Sequence, residues 1–325
     1  MNRIHFTLQA LLNEETKLIP GDESYALRAL NHEISFEEFR FLSQAIRHIG
    51  VTQNFKKVID YVIEGGVDGL LITGSTGEYH TMTLEEQKEV IKVGCEYVAG
   101  RKPIIAGVGK STAKATIELA NFAADCGAEY GLVLPPYYQP TTRQGVIDFF
   151  KEIAAGSRLG IMIYDNPLAT GVELEPDLIY ELAQVDNIVA LKDTSDMIHT
   201  CQVLAKTRTL DKEFSVFQGY EHTILPAMAV GAQGGFAILM NALPKEYAKL
   251  YKLVQENKWQ EATDFNMSMA DLFTAMEEEP YPGPVKAAMN MMGLPAGYVR
   301  KPLVDASEGL KEKMRKNLRA LGYNV

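Results

Sequence analysis

An α/β fold of parallel strands closing as a (β/α)8 barrel, with a C-terminal helical appendage and an atypical N-terminal segment, is the architecture this sequence predicts. Three observations carry it. From about residue 54, short apolar runs alternate with longer stretches of helical spacing. The runs lack the apolar/polar alternation of a half-exposed strand, as a parallel sheet buried on both faces requires. The residues that follow the runs are rich in hydroxyls, phenols and amides, which places chemistry at one rim of the sheet.

The apolar runs are Gly69–Thr73, Pro103–Val108, Tyr130–Leu134, Gly160–Tyr164, Ile188–Leu191, Phe214–Phe217 and Gly234–Leu239. The stretches between them read as amphipathic helices. Phe55–Glu64 precedes the first run, and Thr112–Ala124 follows the second with Ile117, Leu119, Phe122 and Ala123 among its apolar positions, Ser111 as cap and Cys126-Gly127 as stop. Strand–helix repeats of this kind imply right-handed crossovers. A closed barrel needs one strand more than these runs provide, and Ile4–Leu12 is the best candidate for it. Ser35–Ile49 reads as helix-prone insertion. Residues 1–50 are therefore expected to form the atypical segment, 51–257 the barrel and 258–325 the helical region. Helices are expected at Trp259–Glu277, Pro284–Met292 and Glu308–Leu321, with a Pro-rich break at Glu279–Pro284.

Composition excludes several classes. The 325 residues are 46% hydrophobic and 23% charged, ordinary for a globular protein, so a disordered, collagenous or coiled-coil chain is ruled out. The formal charge of -10 opposes nucleic-acid binding, which needs a basic patch against phosphates. The longest apolar stretch, Leu225–Met240, is interrupted by Gly and Gln and too short to span a bilayer. No basic-apolar leader opens the sequence, and Cys95, Cys126 and Cys201 are scattered and odd in number. A cytoplasmic protein is expected.

Lys192 is the most informative residue. It ends the run Ile188-Val189-Ala190-Leu191, so its amine would sit at a barrel mouth lined with hydrocarbon. Desolvation there disfavours the ammonium and leaves more free amine to attack carbonyls. A structural lysine paired with Asp193 is an equally fair reading of the position alone. Gly74-Ser75-Thr76-Gly77-Glu78 brings two glycines and two hydroxyls to a strand–helix junction, where backbone N–H groups can hold a carboxylate. An ordinary turn explains the same residues. Thr83-Leu84-Glu85-Glu86 reads as a capping box. Tyr164 and Tyr138 end strands and can relay protons or simply wall a pocket. Gly107–Thr112 resembles the tail of a phosphate loop, but Ile104 stands where that loop needs glycine. The histidines show no metal-ligand spacing, so no metal is expected. Met289, Met291 and Met292 read as helix packing.

Taken in order, Gly74–Glu78, Pro136-Tyr137-Tyr138, Tyr164-Asp165-Asn166-Pro167 with Thr170-Gly171, and Ala190-Leu191-Lys192-Asp193 resemble the dihydrodipicolinate synthase / N-acetylneuraminate lyase superfamily of Schiff-base aldolases. The tail Pro282–Ala288 followed by Gly293-Leu294-Pro295 is similar to its C-terminal region, so the resemblance runs from about residue 54 to 305. It implies a TIM barrel, usually a homotetramer, that acts on a small 2-oxo acid without metal or organic cofactor. Lys192 would form an imine with pyruvate. Ser75, Thr76 and the backbone at Gly77 would hold the carboxylate, Tyr164 would transfer the proton, and Ser75 with Tyr138 would complete the relay. In such proteins the second tyrosine often comes from a neighbouring subunit. Gly219 and Ile238 would lie along the far wall.

Departures from the family pattern bear on the substrate. Ala169 stands where the synthases carry a carboxylate-binding arginine, and a methyl group cannot make that bidentate contact. Ile238 stands where the sialic acid lyases carry serine, and the Thr-Pro-Phe segment after the first strand is not recognisable. The preferred expectation is a lyase forming or cleaving a 2-keto-3-deoxy sugar acid or similar 2-oxo acid. The alternative is dihydrodipicolinate synthase itself, condensing pyruvate with aspartate semialdehyde. A non-catalytic barrel that binds a 2-oxo acid is the alternative of another class.

Overall fold

The computed structural model describes residues 53–139 and 141–325. Within them, Asn54–Val325 form one compact unit. The candidate strand Ile4–Leu12 and the helix at Ser35–Ile49 lie outside the described residues.

A helix over 53–64 (α1) leads into β1 (Leu70–Ile72), and strands and helices then alternate as the repeats predict. They are α2 (Leu84–Val98), β2 (Ile104–Gly107), α3 (Ala113–Cys126), β3 (Tyr130–Val133), α4 (Arg143–Gly156) and β4 (Gly160–Asp165). The short α5 (Pro167–Thr170), α6 (Pro176–Ala183), β5 (Ile188–Asp193), α7 (Met197–Thr207), β6 (Ser215–Gln218), α8 (Ile224–Ala229) and β7 (Gly234–Gly235) follow. Among the described residues the sheet has seven strands, all parallel, each paired with the next in sequence. This is the strand order of the barrel, short of its eighth member. The C-terminal region adds α9 (Pro244–Gln255), α10 (Trp259–Ser268), α11 (Ala270–Glu277), α12 (Gly283–Met291) and α13 (Glu308–Ala320).

Strand alternation sorts the core. Ile161, Ile163, Ile188 and Leu191 pack outward with the helices, in a cluster that includes Phe150, Ile153 and Ile179. Ile105, Leu132, Met162, Tyr164 and Ala190 pack inward together. A third cluster joins the C-terminal helices through Phe273, Met276, Met289 and Met314.

One irregularity decides the site. Ile161 pairs with Ile188, but Met162 pairs with Ala190, so Val189 is an extra residue in β5. A one-residue shift exchanges the faces of a strand. Without it Tyr164 would pair with Leu191; with it Tyr164 pairs with Lys192.

Several boundaries differ from expectation. Thr112, not Ser111, caps α3, its side chain accepting from the Ala115 N–H. The run Gly234–Leu239 forms only a two-residue strand, because the buried Glu221 carboxylate takes the Leu239 N–H at 3.0 Å and draws the chain into a 3-10 turn. Trp259–Glu277 is two helices, since the Met269 N–H bonds back to Asn266 and closes the first. The capping box at Thr83/Glu86 forms as predicted. No described helix is long and apolar enough to cross a membrane.

Gly107 ends β2 against β1, and a Cβ there would lie 2.0 Å from the Thr73 carbonyl oxygen. Gly107→Ala must part the two strands and should cost about 2–4 kcal/mol by denaturant titration. Gly100→Ala, where a Cβ meets open space but φ is +75°, should cost about 1 kcal/mol. Equal losses would contradict the packing described.

Candidate active site

At the carboxyl ends of the strands, Thr73, Gly74, Ser75, Tyr79, Gly107, Gly109, Leu132, Leu134 and Tyr164 line a small cleft. Lys192 is buried at 9% exposure, and its Nζ sits 4.3 Å from the centre of the Tyr164 ring. In register, Lys192 lies between Tyr164 on β4 and Phe217 on β6, and Phe217 stacks edge-on against Phe236. The amine is thus walled by aromatic carbon, as its place at the end of an apolar run implies.

Tyr164 is the electrostatic centre of the cleft. Burial pushes its phenol up, but the Lys192 ammonium and hydrogen bonding from Lys192 and Ser75 outweigh that and hold it below the ordinary phenol value. The Asn166 side-chain amide donates to the phenol oxygen at 2.9 Å. A phenol held below its ordinary value beside an amine can pass protons in both directions.

The Gly74–Glu78 turn is shaped by Thr73, whose φ of 57° is rare for a β-branched residue. Its hydroxyl donates to the carbonyls of Ile72 at 2.6 Å and Gly107 at 3.1 Å, which holds the turn against the cleft. Backbone strain of this kind persists where surrounding structure over-determines it. Glu78 is buried and braces the rim, pairing with Lys286 of α12 and accepting from the Arg300 N–H at 2.6 Å. Arg300 also pairs with Glu86. The C-terminal region is tied by these bonds to the rim of the cleft.

Of the residues singled out in the sequence, Ser75, Tyr164 and Lys192 converge. Thr76 is half-buried and Gly77 exposed in the same turn, though neither lines the cleft. Gly219 is buried, and a Cβ there would lie 1.9 Å from the Thr194 hydroxyl, so glycine is required by packing. Ile238 packs with the C-terminal apolar cluster rather than the cleft. Ala169 is exposed in α5. Tyr138 is 83% exposed and is not brought to Lys192 within this chain. Lys110, of the phosphate-loop look-alike, is bonded to Gln87.

Three site residues escaped the sequence reading. Asn166 bonds Tyr164; the sequence showed it within the Tyr164–Pro167 motif but gave it no role. Tyr79 is pushed up by burial and interacts with Tyr137 and Tyr164. Tyr281 reaches in from the segment between α11 and α12; burial pushes it up, and hydrogen bonds with Asn166 and Ser75 oppose that. Its contact crosses most of the chain, which spacing cannot reveal.

Behind the cleft, Asp165, Asp193 and His199 form a buried cluster whose ligand-type atoms lie within 4.8 Å of one another. The spacing of the histidines did not signal it. Burial alone would lower His199, but the hydrogen bond and charge of Asp193, with the Leu174 carbonyl and the Asp165 charge, carry it up to about 9. Burial raises Asp165 to about 7 against the pull of His199.

The model of the Dihydrodipicolinate synthetase family matches residues 51–321. The 4-hydroxy-tetrahydrodipicolinate synthase of Acetivibrio thermocellus is 34% identical over 271 residues, covering 82% of this chain and 90% of that one. The crystal structure of dihydrodipicolinate synthase from Aquifex aeolicus superposes with a TM-score of 0.80 at 32% identity, covering 84% of this chain and 92% of that chain. The prophage protein YagE of E. coli K12, solved in complex with pyruvate, gives a TM-score of 0.80 at 27% identity, covering 84% and 93%.

The charges at the site make two predictions. Glu78→Ala strands Lys286 at a largely buried site and should cost about 3 kcal/mol in urea denaturation; a loss below about 1 kcal/mol would show that the tie is idle. His199 binds its proton more tightly folded than unfolded, so its contribution is full below about pH 6.5 and is lost as pH rises through about 9. Asp165, also raised, contributes a loss in the same direction between about pH 4 and 7. Denaturation midpoints should therefore fall from neutral to alkaline pH, and His199→Gln should flatten the upper part of that fall.

Proposed function

Since the chain belongs to the dihydrodipicolinate synthetase family of lyases, we propose that it is a Schiff-base aldolase that joins pyruvate to aspartate semialdehyde through Lys192. The observation that carries the reading is the buried Lys192 amine against the Tyr164 ring at the mouth of the sheet.

The amine attacks the keto carbon of pyruvate, a C–N bond forms, and the former keto oxygen leaves as water to give the imine. Tyr164, a phenol poised to lose and regain a proton, supplies the proton to that departing oxygen. The iminium draws electrons from the adjacent methyl group, which loses a proton to become an enamine. That carbon attacks the aldehyde, the new alkoxide takes a proton, and hydrolysis of the imine frees Lys192. Ser75, hydrogen-bonded to Tyr164, connects the phenol to the turn that would hold the pyruvate carboxylate with its backbone N–H groups and Thr76. The reading calls for neither metal nor organic cofactor.

Relatives at about a third identity bear the synthase name, which supports aspartate semialdehyde as the second substrate. Ala169 favours a second reading, cleavage of a 2-keto-3-deoxy sugar acid, because no guanidinium is present there for the semialdehyde carboxylate. Tyr138 and Leu168, 83% and 82% exposed beside the cleft's defining strand ends, support self-association, with Tyr138 serving a neighbouring copy.

Borohydride reduction with pyruvate should attach a stable adduct to Lys192, read by peptide mass spectrometry; labelling elsewhere or none at all ends the aldolase reading. Tyr164→Phe should still give adduct while turnover falls about 100-fold or more, and full turnover would remove Tyr164 from the proton path. In a substrate panel, aspartate semialdehyde should be consumed faster than 2-keto-3-deoxy sugar acids. The reverse order would establish the second reading.

A further inference from the structure

On the outer side of the sheet, directly behind the reacting pair, lies a closed polar network that the proposed reaction does not use. Asp165 and Asp193 follow Tyr164 and Lys192 in the chain and pair with one another across β4 and β5. Alternation along a strand turns both carboxylates away from the cleft, and both are fully buried. His199 of α7 sits between them. Its Nδ1 lies 3.2 Å from Asp193 Oδ2 and 2.8 Å from the Ser195 hydroxyl. Its Nε2 lies 2.8 Å from the Leu174 carbonyl oxygen and 3.7 Å from Asp165 Oδ2.

That Asp165 oxygen has no hydrogen-bond partner among the described residues, and the imidazole is what faces it. Every neighbour of the ring is an acceptor or can act as one, so both nitrogens donate and the ring is an imidazolium. Donation from both nitrogens also leaves no lone pair for a metal ion, which makes the cluster an ion network rather than a metal cage. The remaining bonds brace it. Thr200 donates to Asp193 at 2.8 Å, Ser195 donates to the other Asp193 oxygen, the Leu174 N–H donates to Asp165 at 3.3 Å, and Gln218 at the end of β6 donates to Thr200 at 3.0 Å.

We infer that His199 is a positioning residue: clamped between Asp165 and Asp193, it locks the ends of β4 and β5 and thereby sets the placement of Tyr164 against Lys192 on the opposite face. The inference rests on the reading that Tyr164 and Lys192 are the reacting pair. Its physical need is plain from the backbone. The Thr194 N–H bond to the Asp165 carbonyl, 2.8 Å, comes where both strands end. Beyond it Asn166 turns into α5 and Thr194 turns toward α7, so only side chains can hold the two ends in step. A misplacement of about 1 Å at reacting groups can cost about 100-fold in rate. The charged groups that bear on the ring are Asp193 from β5 and Asp165 from β4, with Glu173 before α6 acting on Asp165.

The test compares the full-length wild type with His199→Gln, which keeps a donor toward Leu174, and His199→Asn, which keeps one toward Asp193. Neither carries the charge. Both should lower kcat about tenfold or more while the KM for pyruvate moves no more than about twofold. The Tyr164 phenol, titrated without substrate, should shift as its distance from Lys192 changes. Loss of thermal stability with kcat and the Tyr164 titration unchanged below the transition would overturn the clamp. If either variant fails to fold, Ser195→Ala and Asp165→Asn make smaller cuts in the same network and are read the same way. Failure of pyruvate to label Lys192 in the wild type would sink the aldolase reading alone, because the phenol titration still decides the clamp.

Discussion

The proposed chemistry depends on one lateral pairing, Tyr164 opposite Lys192, and that pairing depends on an extra residue in β5. A strand that kept straight register would put Leu191 beside the phenol and turn the lysine out of step with it. The bulge at Val189 moves the amine to the inner face beside an aromatic ring. A cation over such a ring gains about 0.5–2 kcal/mol, more as water is removed. The same proximity acts on the phenol, where the positive charge and the hydrogen bonds overcome the cost of burial. One geometric decision therefore supplies both a buried amine and a phenol held below its ordinary value.

The two faces of the strand ends divide the labour. Inward, β4 and β5 present Tyr164 and Lys192 to the cleft; outward, the next residues present two carboxylates to an imidazole. Buried charges of one sign are costly unless they are paired and hydrogen-bonded, and here the histidine and four neutral donors complete the set. The opposite wall is secured differently. Thr73 holds a strained turn through two carbonyl contacts, and Glu78 anchors that turn to the C-terminal helices through Lys286 and the Arg300 backbone. The C-terminal region thus braces the rim as well as the core, and it brings Tyr281 beside Tyr164, Asn166 and Ser75.

The fold was legible because its strands are buried on both faces, so their apolar runs stand out from amphipathic helices without any tertiary knowledge. Caps with side-chain oxygens, as at Thr83, were legible for the same local reason. Lys192, Tyr164 and Ser75 could be placed because a parallel sheet gathers its strand ends at one rim. What escaped involved partners distant in sequence. The bulge at Val189 has no glycine to mark it, His199 meets Asp165 across a gap of many residues, and Tyr281 comes from another helical layer. The short β7 and the break at Met269 were hidden because hydrogen bonds to the Glu221 carboxylate and to the Asn266 carbonyl, not composition, end those elements. Tyr138 was legible as a rim residue, and at 83% exposure it stands away from Lys192 within this chain.

The most direct check is spectroscopic and needs no substrate: follow ionisation of the Tyr164 phenol by tyrosinate absorbance, assigned by difference from Tyr164→Phe, in wild type and in Lys192→Met. With the amine present the phenol should ionise below about 10, the value of a free tyrosine. With the amine replaced by a thioether of similar length, burial should dominate and drive ionisation above that value. Indistinguishable titrations in the two proteins would mean that amine and phenol do not share the site as described, and the account of its chemistry would be wrong.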